Sequence, residues 1–306
     1  MSASQIRTAK SSAQEPEASP SCYLNGVPTP VGYLGDLRLA PEHRSGTLVA
    51  RGYKFFRILD EDNAAEIYFT AIFSDNAIAQ KSLTSSRATI PTYHPLGQFL
   101  CPGLLPKHFP RQADVTRGTQ DDLPEIITFL NTHNATRQFA PVHHPHDFEK
   151  GGRWGGIKAT DFFLLRKQGT IAATAALWDQ RPFKQTRVLG YRGRWRALRA
   201  ASIAFAWLGA PRLPKPGSTL PFGYASFLSA HSPDDLAAVL RAALTEARRR
   251  RWLYCLAGLH ARDPLARALF PFQKVDFTGE LFAVSPRHEN AYPLDQRIPH
   301  VEAATL

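Results

Sequence analysis

Residues 31–59, VGYLGDLRLAPEHRSGTLVARGYKFFRIL, decide how this chain is read. Their order predicts an apolar strand, a turn of small and polar residues, and a helix whose first turn leaves backbone N–H groups unpaired. Those amides, with the aligned peptide dipoles behind them, favour an anion at the helix start. The loop Pro41-Glu42-His43-Arg44-Ser45-Gly46-Thr47 supplies what a phosphate requires: Gly46 for close backbone approach, and His43 and Arg44 as nearby donors. The same residues also read as a strand, a solvated turn and an N-capped helix with no ligand implied.

The elements that follow support the first reading. Ala65 to Phe73, AEIYFTAIF, has strand propensity, and Ser74 to Leu83 predicts a short helix that starts after Ser74 or Asp75. This succession resembles the GNAT superfamily of acyl-CoA-dependent N-acyltransferases. In that family the fourth strand splays from the fifth, the pantetheine arm lies in the gap, and the pyrophosphate sits on the helix after strand four. The family's loop runs Gln or Arg, two residues, Gly, one residue, then Gly or Ala. Here His43, Arg44, Ser45, Gly46, Thr47 and Leu48 keep the central Gly and depart at the first and last positions. Asn76, Ala79 and Leu83 resemble the family's Asn-x-x-Ala-x-x-x-Leu segment beside the cofactor. The resemblance implies acetyl-CoA or another acyl-CoA as cofactor. It places backbone amides from Leu37 to Leu39 at the thioester carbonyl, and His43, Arg44, Ser45, Gly46, Thr47 and Asn76 around the rest of the donor.

The second half repeats the pattern at greater length. Val115 to Arg117 suits a strand, Leu123, Ile126, Ile127 and Leu130 recur at helical spacing, and Asp161 to Arg166 with Thr170 to Trp178 predict a hairpin around Lys167-Gln168-Gly169. Leu220 to Ala230 reads as a strand. Ser232 with Asp235 caps a helix whose apolar face is Leu236, Val239, Leu240 and Leu244. Trp252 to Leu259, a short helix over Ala261 to Phe270 and a last strand over Phe277 to Ser285 complete the order. Between residues 190 and 217 lies an insert, in which Leu198 to Leu208 predicts a helix with an apolar face to bury. This order resembles a whole GNAT domain, but its phosphate-side loop, Ala230-His231-Ser232-Pro233-Asp234-Asp235, has no glycine and two carboxylates that would repel a pyrophosphate.

The expected fold class is therefore α/β (α+β), a GNAT-like mixed twisted sheet with flanking helices in two related units. The expected organisation is a flexible tail over residues 1–22, a partial unit over 23–110 carrying the phosphate loop, and a more complete but degenerate unit over 111–306. The first unit starts too late to hold the family's first three strands, so it needs completion by the second unit or by another subunit, such as a homodimer partner closing an unpaired sheet edge.

Composition bounds the rest. No apolar run approaches the roughly 18 residues that cross a bilayer, so no membrane partner is expected. The N-terminus has no apolar signal core, and Cys22, Cys101 and Cys255 are too few for a disulfide framework, which points to the cytoplasm. With 37 Lys and Arg against 26 Asp and Glu, the charge is +11, which attracts anions that include nucleic acid and coenzyme A. Arg187, Arg192, Arg194, Arg196 and Arg199 interleave with Tyr191 and Trp195, a pattern able to stack bases or to form a solvated face. His143, His144 and His146 are interrupted by Pro145 and are not taken as a metal site.

The reaction implied is transfer of an acyl group, acetyl in the first instance, from the thioester to the amine of a small molecule or peptide. Asp179 and His231 are the candidate proton acceptors, and neither Cys101 nor Cys255 is a candidate nucleophile. The family's tyrosine acid has no match where it is expected, Tyr93 lying past the helix. The alternative is a non-catalytic CoA-binding or nucleic-acid-binding regulatory protein on the same scaffold.

Overall fold

The structure, a computed structural model, describes residues 21–35, 48–59, 65–84, 91–204, 213–285 and 292–306. In chain order the first elements are β1 (Ser21–Leu24), β2 (Val27–Tyr33), α1 (Leu48–Leu59), β3 (Ile67–Phe73), α2 (Ala77–Leu83), β4 (Thr92–Leu100), β5 (Gly103–Leu104), β6 (Val115–Arg117), α3 (Leu123–Asn134), β7 (Arg137–Gln138) and β8 (Ala140–Pro141). Then come β9 (Phe162–Lys167), β10 (Thr170–Trp178), α4 (Arg194–Ala204), β11 (Gly223–Ala230), α5 (Pro233–Arg249), β12 (Cys255–Ala257), β13 (Leu259–His260), β14 (Lys274–Val275), β15 (Thr278–Ser285) and β16 (Ile298–Pro299). Two compact units result. One holds the chain up to Gly97 with Asn134–Val142 and Gly279–Pro299; the other holds Gln98–His133, His143–Thr278 and His300–Leu306.

In the first unit the strands run β4-β15-β3-β2-β1-β8. Asn25 and Gly26, both at positive φ, turn β1 into β2 with Leu24 opposite Val27. β2 and β3 are parallel, with α1 in the crossover that such a pair needs, and Val31, Gly32 and Tyr33 lie opposite Ile67, Tyr68 and Phe69. The other edge of β3 takes β15, antiparallel from Gly279 opposite Phe73 to Val284 opposite Tyr68. Ala283 of β15 joins the core of Cys22, Leu24, Val31, Ile67 and Phe139, while Phe282 and Val284 join Ile72 and Leu83 on the other face. A strand buried on both faces belongs inside a sheet.

This arrangement corrects two expectations. The last strand, expected to finish the second unit, finishes the first. The first unit is not bounded by one cut near residue 110, because two later segments of the same chain complete its sheet. Hydrogen-bonding capacity along β3 decides the matter, since β2 occupies one edge and the other edge needs a partner.

The second unit's sheet runs β14-β5-β12-β11-β10-β9-β6. Gln168 and Gly169, both at positive φ, make the two-residue turn between β9 and β10. α5 lays Leu236, Leu240 and Leu244 into a core with Phe163, Leu165, Ala173, Ala175, Leu177 and Ala225. The alanines of β10 let the helix approach closely, and each fully buried leucine contributes about 1.5–3 kcal/mol of apolar burial. β5 and β14 close this sheet where the last strand was expected.

Candidate functional site

Each unit contains a parallel strand pair linked through a helix, and the first is the one that holds the expected phosphate loop. There Gly32 lies against Tyr68 so tightly that a Cβ would sit 2.2 Å from the ring. The Leu34 N–H donates to the Phe69 carbonyl at 2.9 Å, and the Thr70 hydroxyl donates to the Leu34 carbonyl at 2.6 Å. Pairing thus holds to the end of the described strand. Leu37, Leu39, His43, Arg44, Ser45, Gly46 and Thr47 lie outside the described residues. α1 follows, with Phe56 edge-on to Tyr68 at 4.8 Å and the Tyr53 and Tyr93 hydroxyls 2.5 Å apart. Burial pushes both phenols up, and Tyr93 is raised further by Tyr53, so both remain protonated at neutral pH. The Asn76 side chain accepts from the Ala79 N–H at 3.2 Å and so caps α2.

In the second unit β11 pairs with β12 only over Gly223–Ala225 and Cys255–Ala257. Beyond this the strands part. β11 carries an extra residue against β10, since Thr174 opposes Ser229 and Ala176 opposes Ser226. Phe227 sits in this bulge at φ 54°. Its side chain enters an aromatic cluster with His143, Phe148, Trp154 and Phe162, ring centroids 5.2–5.8 Å away. Its carbonyl accepts from the Thr174 hydroxyl at 2.8 Å.

The bulge N–H of Phe227 donates to Glu302 Oε2 at 2.8 Å. Glu302 also caps the turn Ala303–Thr305 by accepting from the Ala304 N–H at 3.2 Å. That turn lies over Gly258, whose hypothetical Cβ would be 2.8 Å from the Ala303 nitrogen. The space between the diverging strands is therefore filled by residues 301–305 of the same unit. Burial raises the Glu302 carboxyl above its ordinary range, and the two N–H groups oppose that rise.

At the start of α5, Ser232 accepts from the Asp235 N–H at 3.2 Å, and Asp235 pairs with Lys167 Nζ at 2.6 Å. Burial works against the Asp235 carboxylate, but the hydrogen bonds from Lys167 and Ser232 prevail and hold its pKa below the ordinary value. A helix end whose cap and carboxylate are already engaged offers little to a phosphate.

Asp179 and His231 do not share a site. Asp179 follows the β10 end where Trp178 opposes Tyr224, while His231 follows Ala230, opposite Ala173 at the other end of the same ladder. That separation is roughly 20 Å at about 3.3 Å per residue. Arg181 grips Asp179 through Nε at 2.8 Å and Nη2 at 2.5 Å, which holds the carboxyl low. His231 is exposed, and its ring stacks on His133 at 5.3 Å.

The histidine tract divides in the same way. His143 is buried and accepts from Trp154 Nε1 at 3.1 Å. Burial, then the charges of Arg153, His300 and His144, hold it well below the ordinary histidine value. His144 and His146 are exposed and stacked at 5.2 Å. Burial pushes the Cys101 thiol up to about 12, with Glu302 adding to the rise, so it is not a thiolate at neutral pH.

Glu302 and Phe227 are the residues that sequence reasoning passed over. Glu302 left one signal, a lone acid in the apolar ending VEAATL. Nothing around Phe227 announces a positive φ, since an aromatic residue in a strand is ordinary.

No protein-family model matches the sequence, and no curated protein matches it. Solved structures do match in fold. Saccharomyces cerevisiae N-myristoyltransferase with bound myristoyl-CoA superposes with TM-score 0.54 at 9% identity, over 87% of this chain and 64% of that one. A structure of the same enzyme with myristoyl-CoA and inhibitors gives 0.51 at 9% identity, over 94% and 69%. A GCN5-related N-acetyltransferase from Sphaerobacter thermophilus gives 0.49 at 12% identity, over 79% and 69%. The chain thus spans 64% of the length of the first of these enzymes. Its architecture is one of mixed sheets with flanking helices. More particularly, it is the fold of the yeast N-myristoyltransferase, at an identity that speaks for fold alone.

Proposed function

We propose that this protein is an acyl-CoA-dependent N-acyltransferase built from two related units, with the donor bound by the first. The observation that carries the reading is the parallel pair β2 and β3 joined through the Gly46 loop and α1, in a fold shared with an enzyme solved with myristoyl-CoA bound; the pair stays bonded through Leu34, so the donor's arm would lie beyond that point. The choice of unit follows from the second one. Its diverging strands are already spaced by residues 301–305, its bulge amide is taken by Glu302, and its α5 terminus carries Asp234 and Asp235. The second unit is in this sense a degenerate copy.

The chemistry is aminolysis of a thioester. A neutral amine of a small molecule or peptide attacks the carbonyl carbon, a C–N bond forms, the C–S bond breaks, and the coenzyme A thiolate leaves while the amine proton passes to a base or to water. Amides of the Leu37 to Leu39 segment polarise the carbonyl, and His43, Arg44, Ser45, Gly46 and Thr47 hold the pyrophosphate. Of the two proton acceptors considered, Asp179 is the weaker base, because Arg181 holds it in its ionised form.

Thermal unfolding with coenzyme A, acetyl-CoA and myristoyl-CoA tests this. A donor at 100 times its dissociation constant adds about 2.7 kcal/mol, which raises the Tm by roughly 5 °C or more. Gly46→Val and Arg44→Glu should abolish that rise while leaving the unliganded Tm in place. No shift with any of the three compounds, or a shift that both variants retain, overturns the assignment. Release of free thiol on adding primary amines then separates an enzyme from a CoA-binding protein.

A further inference from the structure

The insert in the second unit leaves the core on a short antiparallel stem. The Val188 N–H donates to the Ser218 carbonyl at 3.0 Å, the Gly217 N–H to the Val188 carbonyl at 2.7 Å, and the Leu220 N–H to the Thr186 carbonyl at 2.8 Å. Beyond the stem the Tyr191 hydroxyl donates to the Pro214 carbonyl at 2.9 Å, and Arg199 lies over the Tyr191 ring at 5.9 Å. α4 sits at the head of this arm. The expected helix over Leu198 to Leu208 is described only as far as Ala204, its remaining residues lying outside the described ones, and no α4 residue whose side chain is described is buried.

Two features make that exposure informative. The first is apolar: Leu198 is 49% exposed, Ile203 50%, Phe183 61% and Leu189 96%, with Trp195 also exposed. The second is electrostatic. From Arg181 to Pro233 the sequence has nine Lys and Arg and no Asp or Glu. Arg187, Arg192, Arg196 and Lys215 are exposed, and among the described residues none of the four is in an ion pair; Lys184 is exposed as well, with its Nζ 3.4 Å from the Leu306 oxygen. An excess of positive charge over this length attracts anionic surfaces, and exposed leucine and isoleucine beside it favour one that also offers an apolar layer.

We propose that this arm is a membrane-docking element that lies on the surface of anionic phospholipid bilayers, with Trp195, Leu198 and Ile203 entering the headgroup boundary and the arginines meeting lipid phosphates. A helix of 11 residues is about 16 Å long, too short to span a bilayer, so contact through its exposed side chains is the geometry left to it. Nucleic acid accounts for the arginines and the tryptophan but offers nothing to aliphatic side chains. Among the described residues no helix is long and apolar enough to cross a membrane, and surface docking requires none. The inference is independent of the acyltransferase reading.

The test is flotation of the full chain with phosphatidylcholine vesicles made with and without phosphatidylserine. Binding is expected only with phosphatidylserine, and raised salt should release it. Each basic residue near an anionic surface is worth a severalfold gain in partition, so Arg192→Glu with Arg196→Glu should lower binding by at least about tenfold. Leu198→Ser with Ile203→Ser should lower it comparably at unchanged charge. Both pairs change exposed side chains, so unaltered circular dichroism and Tm verify that the variants fold. A blue shift of tryptophan emission on vesicles, lost in Trp195→Phe, places the ring in the interface. Equal binding to both vesicle types, no binding to either, or binding to single-stranded RNA alone overturns the proposal.

Discussion

The two strand–helix–strand pairs differ most in what stands between their strands. In the first unit β2 and β3 remain bonded through Leu34 and Phe69, and a glycine-bearing loop leads to α1. In the second, β11 and β12 part after three residue pairs, a bulge turns Phe227 inward, and the space receives Glu302 with the turn that it caps. A gap between parallel strands exposes amide and carbonyl groups that need partners. The second unit satisfies them from its own chain. The lesson is that a gap between parallel strands can be closed by a short peptide carrying one carboxylate.

The largest effect expected from this comparison falls on Gly258→Val. Its Cβ would meet the Ala303 backbone at 2.8 Å and Val301 Cγ1 at 3.0 Å, so the terminal turn must move, at a cost of about 3 kcal/mol in urea unfolding. Hydrogen exchange at residues 301–305 should accelerate in parallel. Unchanged stability would mean that the turn does not fill the gap.

Next is Glu302. Replacement by Ala leaves the buried Phe227 N–H without an acceptor and should cost about 2 kcal/mol. Replacement by Gln keeps an acceptor and removes the charge, so at pH 7 it should be at least as stable as the wild type. The pH dependence has a definite sign. The folded carboxyl titrates above its ordinary value of 4.5, so its contribution to stability is complete below that value and is lost as pH rises through the folded pKa. Urea midpoints between pH 4 and pH 7 should fall in the wild type relative to Glu302→Gln. Parallel curves would remove Glu302 from the account.

The smallest effect belongs to the first unit. Gly52 lies within α1, and a Cβ there meets nothing within 4 Å. Gly52→Ala should therefore stabilise by about 0.5–1 kcal/mol, visible as a rise in Tm. A loss instead would mean that α1 needs its bare backbone for something that must approach it.

Much of the element order was legible. The apolar periodicity of α5, the Gln168-Gly169 turn and the strand from Thr170 to Trp178 all stand where local pattern put them. The Asn25-Gly26 turn was equally readable, since Asn-Gly is among the strongest hairpin signals, and the strand that it ends takes in Ser21 and Cys22 from the stretch expected to be a tail. The run Trp252 to Leu259 read as one strand, but its bonding is split. Cys255–Ala257 pair with β11, whereas Leu259 and His260 pair with Leu100 and Phe99. An apolar run reports burial and says nothing of which edge it bonds to. Asp179 shows a different limit: residue type marked it as ionisable without weighing Arg181 two positions on, whose guanidinium holds it.

What the amino-acid order settles here is local. Side-chain periods, caps and turn residues act within a few positions, and these alone specify the strands, the helices and a strongly basic insert without acids. What it leaves open is pairing between segments far apart in the chain, such as β15 against β3 and Glu302 against the Phe227 amide. Those contacts are selected by competition among all exposed edges and buried polar groups once the chain is compact. No short stretch of residues contains its own answer to that competition.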